Sequence, residues 1–233
     1  MIPIRDQIKT RRAPIVNYLL IAANVVVFIL QMSAGGNQQA LVSEFALIPS
    51  NFTDGISLGD VRDIFTSMFM HAGLIHLFGN MLYLWIFGDN VEDAMGHFNY
   101  LVFYLLGGTA ASAAHILLNP SSQLPTVGAS GAIGAALGAY LVLYPQSRVA
   151  TFIPLGFFFT LRLLPAAVVL IMWFILQLFS GVLSLRMEDV GGTAFWAHIG
   201  GFVFGVAIGL LFRPRRRSDR TQGEGSGDQV LGD

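Results

Sequence analysis

Six apolar stretches, separated by shorter polar segments, constrain the fold of this 233-residue chain more than any other feature. A helix of about 20 residues crosses a membrane core about 30 Å thick, and each stretch is that long or nearly so. Hydrophobic residues make up 54% of the chain and charged residues only 12%. The sequence therefore predicts an all-α membrane protein. Its six transmembrane helices are expected near residues 14–32, 73–93, 98–118, 130–144, 165–184 and 193–212.

The distribution of Lys and Arg predicts the orientation in the membrane, because cytoplasmic flanks carry the excess of these residues. With the N terminus inside, eleven basic residues face the cytoplasm and only Arg62 and Arg186 face out. We expect a multi-pass protein of the cell membrane with both termini in the cytoplasm. Its domains are a cytoplasmic segment over 1–13, a membrane domain over 14–212 and a disordered tail over 213–233, which is rich in Gly, Ser and charge.

The first apolar stretch has an alternative interpretation as a cleaved secretory signal. It follows a basic start and precedes the small residues Ser33, Ala34 and Gly35, as signals do. Cleavage would leave five spans and would place the Arg-rich tail outside or reverse the topology. Against this, an apolar run of about 18 residues is long for the hydrophobic region of a signal.

Two segments between the predicted spans are irregular. Residues 33–72 form a connection far longer than usual, and such long loops are either functional or disordered. The apolar content of this segment favours a folded element at the outer membrane interface. The second segment, 119–129, carries no charge and contains Pro120, Pro125 and Gly128.

The helix that follows begins at Ser130 and is too short to cross the membrane. Pro145 should end it at or before Tyr144, and 15 residues span about 22 Å, about 8 Å less than the core. The helix would begin below the outer surface, where non-helical backbone is tolerated only against protein or a water-filled cavity. Ser130 would lie at the floor of such a pocket, beside free amide N–H groups that can bind an anion.

His198 is expected at a similar depth, roughly 8 to 9 Å into the last span. Polar side chains at membrane depth are costly and mark functional sites, and a serine with a histidine indicates a nucleophile and its base. Taken singly, Ser130 is better explained as a small packing residue and His198 as a buried, hydrogen-bonded histidine. Glycines at four-residue spacing would let the two helices pack closely; they are Gly134, Gly138, Gly201, Gly205 and Gly209.

A third polar cluster comprises His71, His76 and Asn80. On one helix, His76 and Asn80 are four residues apart and share a face, whereas His71 points about 140° away from His76. Side-chain N–H donors aimed at one point stabilise the oxyanion that forms when a serine attacks a carbonyl group. His76 and Asn80 are therefore candidates for this task, and His71 is expected to brace the outer loop.

From about residue 14 to residue 212, the chain resembles the rhomboid family of intramembrane serine proteases. The resemblance rests on several motifs that occur in the family order along the six predicted spans. The motifs with polar residues are His71-x4-His76-x3-Asn80, Gly128-Ala-Ser130-Gly131 and Ala197-His198-x2-Gly201-x3-Gly205. Further matches are Phe45-Ala-Leu-Ile-Pro49, Trp85-Ile-Phe-Gly-Asp-Asn-Val-Glu92 and Pro165-Ala-Ala-Val-Val-Leu-x2-Trp173-Phe-Ile-Leu-Gln177.

The resemblance implies a rhomboid-like six-helix bundle in which Ser130 is the nucleophile and His198 the base, a dyad without a carboxylate. It implies an oxyanion hole formed by His76, Asn80 and the Ser130 amide. Substrates would be transmembrane segments of membrane proteins with small or helix-destabilising residues, cut near the outer interface of the lipid bilayer. No cofactor, metal or nucleic acid is expected. Further residues would support the site: Gly128, Gly131, Gly201, Gly205 and His71.

Two positions depart from the family pattern. Val61 precedes Arg62, where family members often carry a Trp-Arg pair in the outer loop. Gly134 stands where some members carry an aromatic residue on which the histidine stacks. The anchoring of the outer loop and the support of the His198 ring are therefore open questions at the level of the sequence.

Two other functions are compatible with parts of the pattern. A non-catalytic relative would bind transmembrane helices without cutting them, and an activity assay separates it from a protease. A haem or metal protein would use His71, His76 and His198, but the chain lacks a His-Glu-x-x-His motif and Ser130 would stay unexplained. The chain contains no cysteine, which excludes disulfides, thiol chemistry and cysteine-ligated metals.

Overall fold

A computed structural model describes residues 1–53, 55–155, 158–184 and 194–213 of the chain. The predicted disordered tail beyond Arg213 and the outward-facing Arg186 lie outside the described residues. The described part is mostly helical. Its α-helices are α1 (Ile15–Ser33), α2 (Gln38–Phe45), α3 (Leu58–Ser67), α4 (Leu74–Tyr83), α5 (Asp89–Met95), α6 (His97–Leu118), α7 (Ser130–Leu143), α8 (Ala166–Ser184) and α9 (Phe195–Phe212).

Helices lie at each of the predicted spans, but they differ in length. Within the described residues, four helices are long and apolar enough to cross a membrane: Ile15–Ser33, His97–Leu118, Ala166–Leu183 and Phe195–Phe212. The fourth predicted span is α7, which has only 14 residues. The second is a composite of α4, a π-helical turn over Leu84–Gly88, and α5. The structure is thus a helical bundle with four clear candidate spans.

Helix α7 is the central element of the bundle. Every residue from Gly131 to Tyr140 is buried, as expected of a helix that is apolar on all sides. Helices α6 and α9 pack against it along its length. The short length of α7 is consistent with this position, because the irregular backbone that precedes Ser130 lines a cavity.

Close approach of α7 and α9 is made possible by glycine on both helices. A Cβ atom added at Gly201 would collide with the carbonyl oxygen of Gly131, and one at Gly205 would collide with that of Ala135. A Cβ atom at Gly138 would likewise meet the carbonyl oxygen of Phe202. The small-residue faces that the sequence indicated are therefore the faces that meet, and the backbones touch there.

This contact predicts that Gly205→Ala destabilises the fold, because the new methyl group must push α9 away from Ala135. We expect a cost of about 1–3 kcal/mol, as for other overpacked sites, seen as a lower melting temperature in detergent. Gly79→Ala is the matched control, since a Cβ atom there has no neighbour within 4 Å. Equal melting temperatures for the two variants would contradict the close α7–α9 contact.

A three-stranded antiparallel sheet, which the all-α prediction missed, lies at one end of the bundle. It consists of β1 (Ile2–Asp6), β2 (Arg148–Leu155) and β3 (Phe158–Pro165), in the order β1-β2-β3. Its sequence signal is short, a few β-branched residues in alternation such as Val149, Thr151 and Ile153. Pairing of β1 with β2 brings the N terminus and the α7–α8 connection to the same end of the molecule.

The segment between α1 and α4 is folded, as its apolar content indicated. It contains α2 and α3, and Arg62 of α3 ties these two helices together. The guanidinium group of Arg62 donates a 2.7 Å hydrogen bond to the Glu44 carbonyl and lies 4.6 Å from the centre of the Phe45 ring. Arg62 therefore anchors the segment although Val61 precedes it.

The same segment is joined to the irregular residues that precede α7. Leu47 and Thr126 exchange two backbone hydrogen bonds, of 3.1 and 2.8 Å. The Gly128 amide donates a further bond of 2.8 Å to the Ser67 carbonyl. These contacts fix the backbone that leads into Ser130.

Candidate active site

Ser130 and His198, which the sequence analysis paired, lie in direct contact. Ser130 is the first residue of α7 and His198 lies in the first turn of α9. The distance between Ser130 Oγ and His198 Nε2 is 2.7 Å, a short hydrogen bond. His198 is 9% exposed, so its ring is largely shielded, while Ser130 is partly buried.

Packing of the two helix backbones holds this pair together. A Cβ atom at Gly134, one turn after Ser130, would lie 2.9 Å from the carbonyl oxygen of His198. Any larger residue at this position would separate the start of α9 from α7. Gly134 therefore provides close approach of the backbones, and it offers no side chain on which the His198 ring could rest.

His76 and Asn80 of α4 lie beside the backbone that precedes Ser130. A Cβ atom at Gly128 would be 2.9 Å from His76 Nε2 and 3.6 Å from Asn80 Nδ2. Gly128 also has a φ of +135°, where residues with a side chain are rare. The site thus requires glycine at this position both for its backbone and for the space that His76 occupies.

His71 differs from the expectation based on a continuous helix. Helix α4 begins only at Leu74, so the helical angle between His71 and His76 does not apply. The His71 ring turns back toward α4, and its Nε2 accepts a 2.9 Å hydrogen bond from Asn80 Nδ2. His71 is fully buried, and its backbone exchanges hydrogen bonds with the Gln31 side chain of α1.

This contact orients the Asn80 amide. One hydrogen of Asn80 Nδ2 is directed to His71, and the second stays available for another acceptor. Since the Asn80 amide lies near Gly128, its free hydrogen is within the same region as the first amide groups of α7. Those amides have no acceptor within the helix, and no side chain caps them.

Helix α8 contributes two residues that the sequence analysis did not include in the site. Gln177 Oε1 lies 2.7 Å from His198 Nδ1. The Trp173 ring lies against the His198 ring, with centroids 5.8 Å apart and planes inclined by 35°. The available signal was the four-residue spacing of Trp173 and Gln177, which places both on one face of a helix.

A cavity of about 1280 Å³ opens onto this group of side chains. Ser130, His198, His76 and Asn80 all line it, together with residues of the 119–129 segment. His115 of α6 supports that segment through a 3.1 Å hydrogen bond to Thr126 Oγ1. A cavity of this size with polar side chains in its wall can hold water beside the serine.

The arrangement has the parts of a nucleophilic acyl-transfer site. A serine hydroxyl is hydrogen-bonded to an imidazole nitrogen that can accept its proton. Amide N–H donors of a side chain and of a helix start surround the region where an oxyanion would form. Among the residues that the structure describes, no group of three or more His, Cys, Asp or Glu side chains is placed to hold a metal ion.

The fold and this site together define a class of protein. The class is a multi-pass helical membrane protein with a hydrogen-bonded Ser–His pair in the wall of a cavity. A family model described as the rhomboid domain matches residues 58–215. The chain belongs to the rhomboid family.

Several curated proteins are similar to this chain. Rhomboid protease GluP of Bacillus subtilis (strain 168) is 31% identical over 199 residues, which cover 84% of this chain and 35% of that protein. RHOMBOID-like protein 1 of Arabidopsis thaliana is 31% identical over 153 residues, covering 66% and 35%. The mitochondrial presenilin-associated rhomboid-like protein of Homo sapiens is 27% identical over 196 residues, covering 80% and 45%. The chain thus spans between a third and a half of the length of these relatives.

Proposed function

We propose that this chain is an intramembrane serine endopeptidase, which hydrolyses peptide bonds within transmembrane segments of other membrane proteins. The observation that carries this proposal is the 2.7 Å contact between Ser130 Oγ and His198 Nε2 in the wall of a cavity. Similarity to rhomboid protease GluP supports it. Such chemistry needs a nucleophile and its base, and the two are in contact here.

The proposed reaction has two steps. His198 Nε2 removes the proton from Ser130 as Oγ attacks the carbonyl carbon, and it then delivers that proton to the departing amine. In the second step, water attacks the acyl-serine while His198 Nε2 takes its proton. The proton then returns to Ser130 Oγ, and the carboxylic acid is released. In both steps the negative oxygen is stabilised by N–H groups of Asn80, His76 and the Ser130 amide.

The proposed substrates follow from the position of the site. A peptide bond in a helix is shielded and its groups are already hydrogen-bonded, so the segment must unwind to reach Ser130. Small or helix-destabilising residues lower the cost of unwinding. A substrate segment would leave the bilayer sideways and enter the cavity as an extended chain.

In the proposed arrangement, the chain crosses a bacterial cytoplasmic membrane six times. Both termini lie on the cytoplasmic side. The sheet supports a position of the N terminus and the α7–α8 connection on the same side of the membrane, because it brings both to one end of the bundle. Ser130 begins α7 and therefore lies at the other end of that helix. The basic residues near the sheet favour the cytoplasmic side for that end, and the proposed site would then face the outer side.

Asn80→Ala is expected to slow cleavage by about 10- to 1000-fold, as removal of one oxyanion donor does. The rate should fall because the transition state loses a hydrogen bond, while substrate affinity stays the same. Steady-state kinetics with a fluorescent transmembrane substrate measure both quantities. A cleavage rate equal to wild type would remove Asn80 from the proposed oxyanion hole.

The proposal is tested by reconstituting the purified protein in liposomes with two matched substrates. One carries a Gly-rich site near the outer end of its transmembrane segment, and the other carries Leu at the same positions. We expect cleavage of the first at a bond that mass spectrometry locates, and little cleavage of the second. Binding of both substrates without cleavage would favour the alternative, a non-catalytic rhomboid-like protein that binds transmembrane helices.

A further inference from the structure

We propose that Gln177 is the positioning residue that holds His198 in the tautomer required of a general base. This inference rests on the proposed protease function and adds to it a third residue, on a helix that provides neither Ser130 nor His198. Gln177 Oε1 lies 2.7 Å from His198 Nδ1, while Ser130 Oγ lies 2.7 Å from His198 Nε2. The imidazole ring is thus held between two side chains.

The direction of the first hydrogen bond decides the state of the second. A neutral imidazole has one nitrogen that donates and one that accepts. The amide oxygen of Gln177 only accepts, so it requires the hydrogen to be on Nδ1. Nε2 is then unprotonated and faces the Ser130 hydroxyl, whose proton it can take. The opposite tautomer would donate from Nε2 to Ser130 and could not act as a base.

An amide suits this task inside a membrane bundle better than a carboxylate does. A buried carboxylate carries a large desolvation cost, and the cost is higher at membrane depth. The amide oxygen orients the ring without adding a charge, and its dipole stabilises the imidazolium that forms when Nε2 takes the proton. Gln177 therefore takes the position that a carboxylate occupies in a serine triad.

Trp173 and the glycine at position 134 show how the ring is held. Trp173 lies one turn before Gln177 and covers the His198 ring from the side of α8. Gly134 cannot be replaced by a stacking residue, because its Cβ would already lie 2.9 Å from the His198 carbonyl oxygen. The ring orientation therefore depends on α8, whereas α7 provides the nucleophile and a flat backbone surface.

Gln177→Leu removes the acceptor and keeps a side chain of similar size. We expect kcat to fall by at least about 10-fold, up to the roughly 10⁴-fold that a wrong tautomer costs a serine protease. KM should stay close to the wild-type value, because Gln177 is not among the residues that line the cavity. If Gln177→Leu fails to fold, Gln177→Ala removes the same acceptor without adding bulk.

Gln177→Glu separates positioning from packing. It keeps an oxygen acceptor at the same place, so we expect a kcat well above that of Gln177→Leu. Leu176→Ala controls for any change in α8, since Leu176 is 57% exposed on the outside of the bundle, and its kcat should equal that of wild type. Melting temperatures of all variants are measured in the same detergent.

The outcomes distinguish this inference from the proposed function. If wild type cleaves, Ser130→Ala does not, and Gln177→Leu has the wild-type kcat, then the positioning role is wrong and the protease function stands. Equal losses in Gln177→Leu and Gln177→Glu, with both variants melting at the wild-type temperature, would also overturn the inference, because an oxygen acceptor at this position would then make no difference. If folded wild type does not cleave, both proposals fall together.

Discussion

Ser130→Ala is expected to abolish cleavage of a transmembrane substrate, to less than about one hundredth of the wild-type rate. The substitution deletes the oxygen that attacks the carbonyl carbon, and the nearby N–H donors cannot replace it. The fold should be unaffected, because one partly buried hydroxyl is removed at a helix start and alanine is favourable in a helix. Cleavage in liposomes and the melting temperature in detergent measure these two effects.

Ser33→Ala is the control for the loss of a serine hydroxyl. Ser33 is exposed at the end of α1, and its hydroxyl bonds only the carbonyl one turn before it, at 2.8 Å. We expect this variant to cleave at the wild-type rate. A rate above a few hundredths of wild type in folded Ser130→Ala, by contrast, would rule out Ser130 as the nucleophile.

His198→Ala should cause a loss as large as that of Ser130→Ala, because the serine hydroxyl is a weak nucleophile without a base. Residues that act as a unit are not additive. The double variant should therefore be no slower than either single variant. Rates of the three proteins, measured with the same substrate, give this comparison directly.

A folded His198→Ala protein that cleaves at the wild-type rate would show that the two residues do not form a dyad. A double variant much slower than both single variants would also contradict the dyad, because the rate losses of two residues multiply only when the residues act independently. Rescue of His198→Ala by added imidazole would support the assignment, because the small base would fill the space that the ring leaves.

The sequence predicted those features that depend on local rules. Apolar runs of sufficient length identified the helices, and Pro145 indicated the end of α7 at Leu143, one residue before the predicted limit. The four-residue glycine spacing indicated close packing. These signals are read from neighbours along one helix, and they do not depend on knowing which elements meet.

The features that the sequence did not predict depend on contacts between distant elements. The β1–β2 pairing joins residues about 150 positions apart. The bond from Asn80 to His71 exists because α4 begins only at Leu74. Gln177 approaches His198 only when α8 lies beside α9. Tertiary packing decides each of these contacts, and no helical period along the chain specifies it.

The measurement that tests the Ser130–His198 dyad most directly is labelling by a fluorescent fluorophosphonate, which reacts with activated serines. It is applied to purified wild type, Ser130→Ala and His198→Ala in detergent, with melting curves to show that each is folded. We predict labelling of wild type alone. Persistent labelling of Ser130→Ala, or a folded wild type that is neither labelled nor able to cleave a transmembrane substrate, would contradict a catalytic Ser130–His198 dyad.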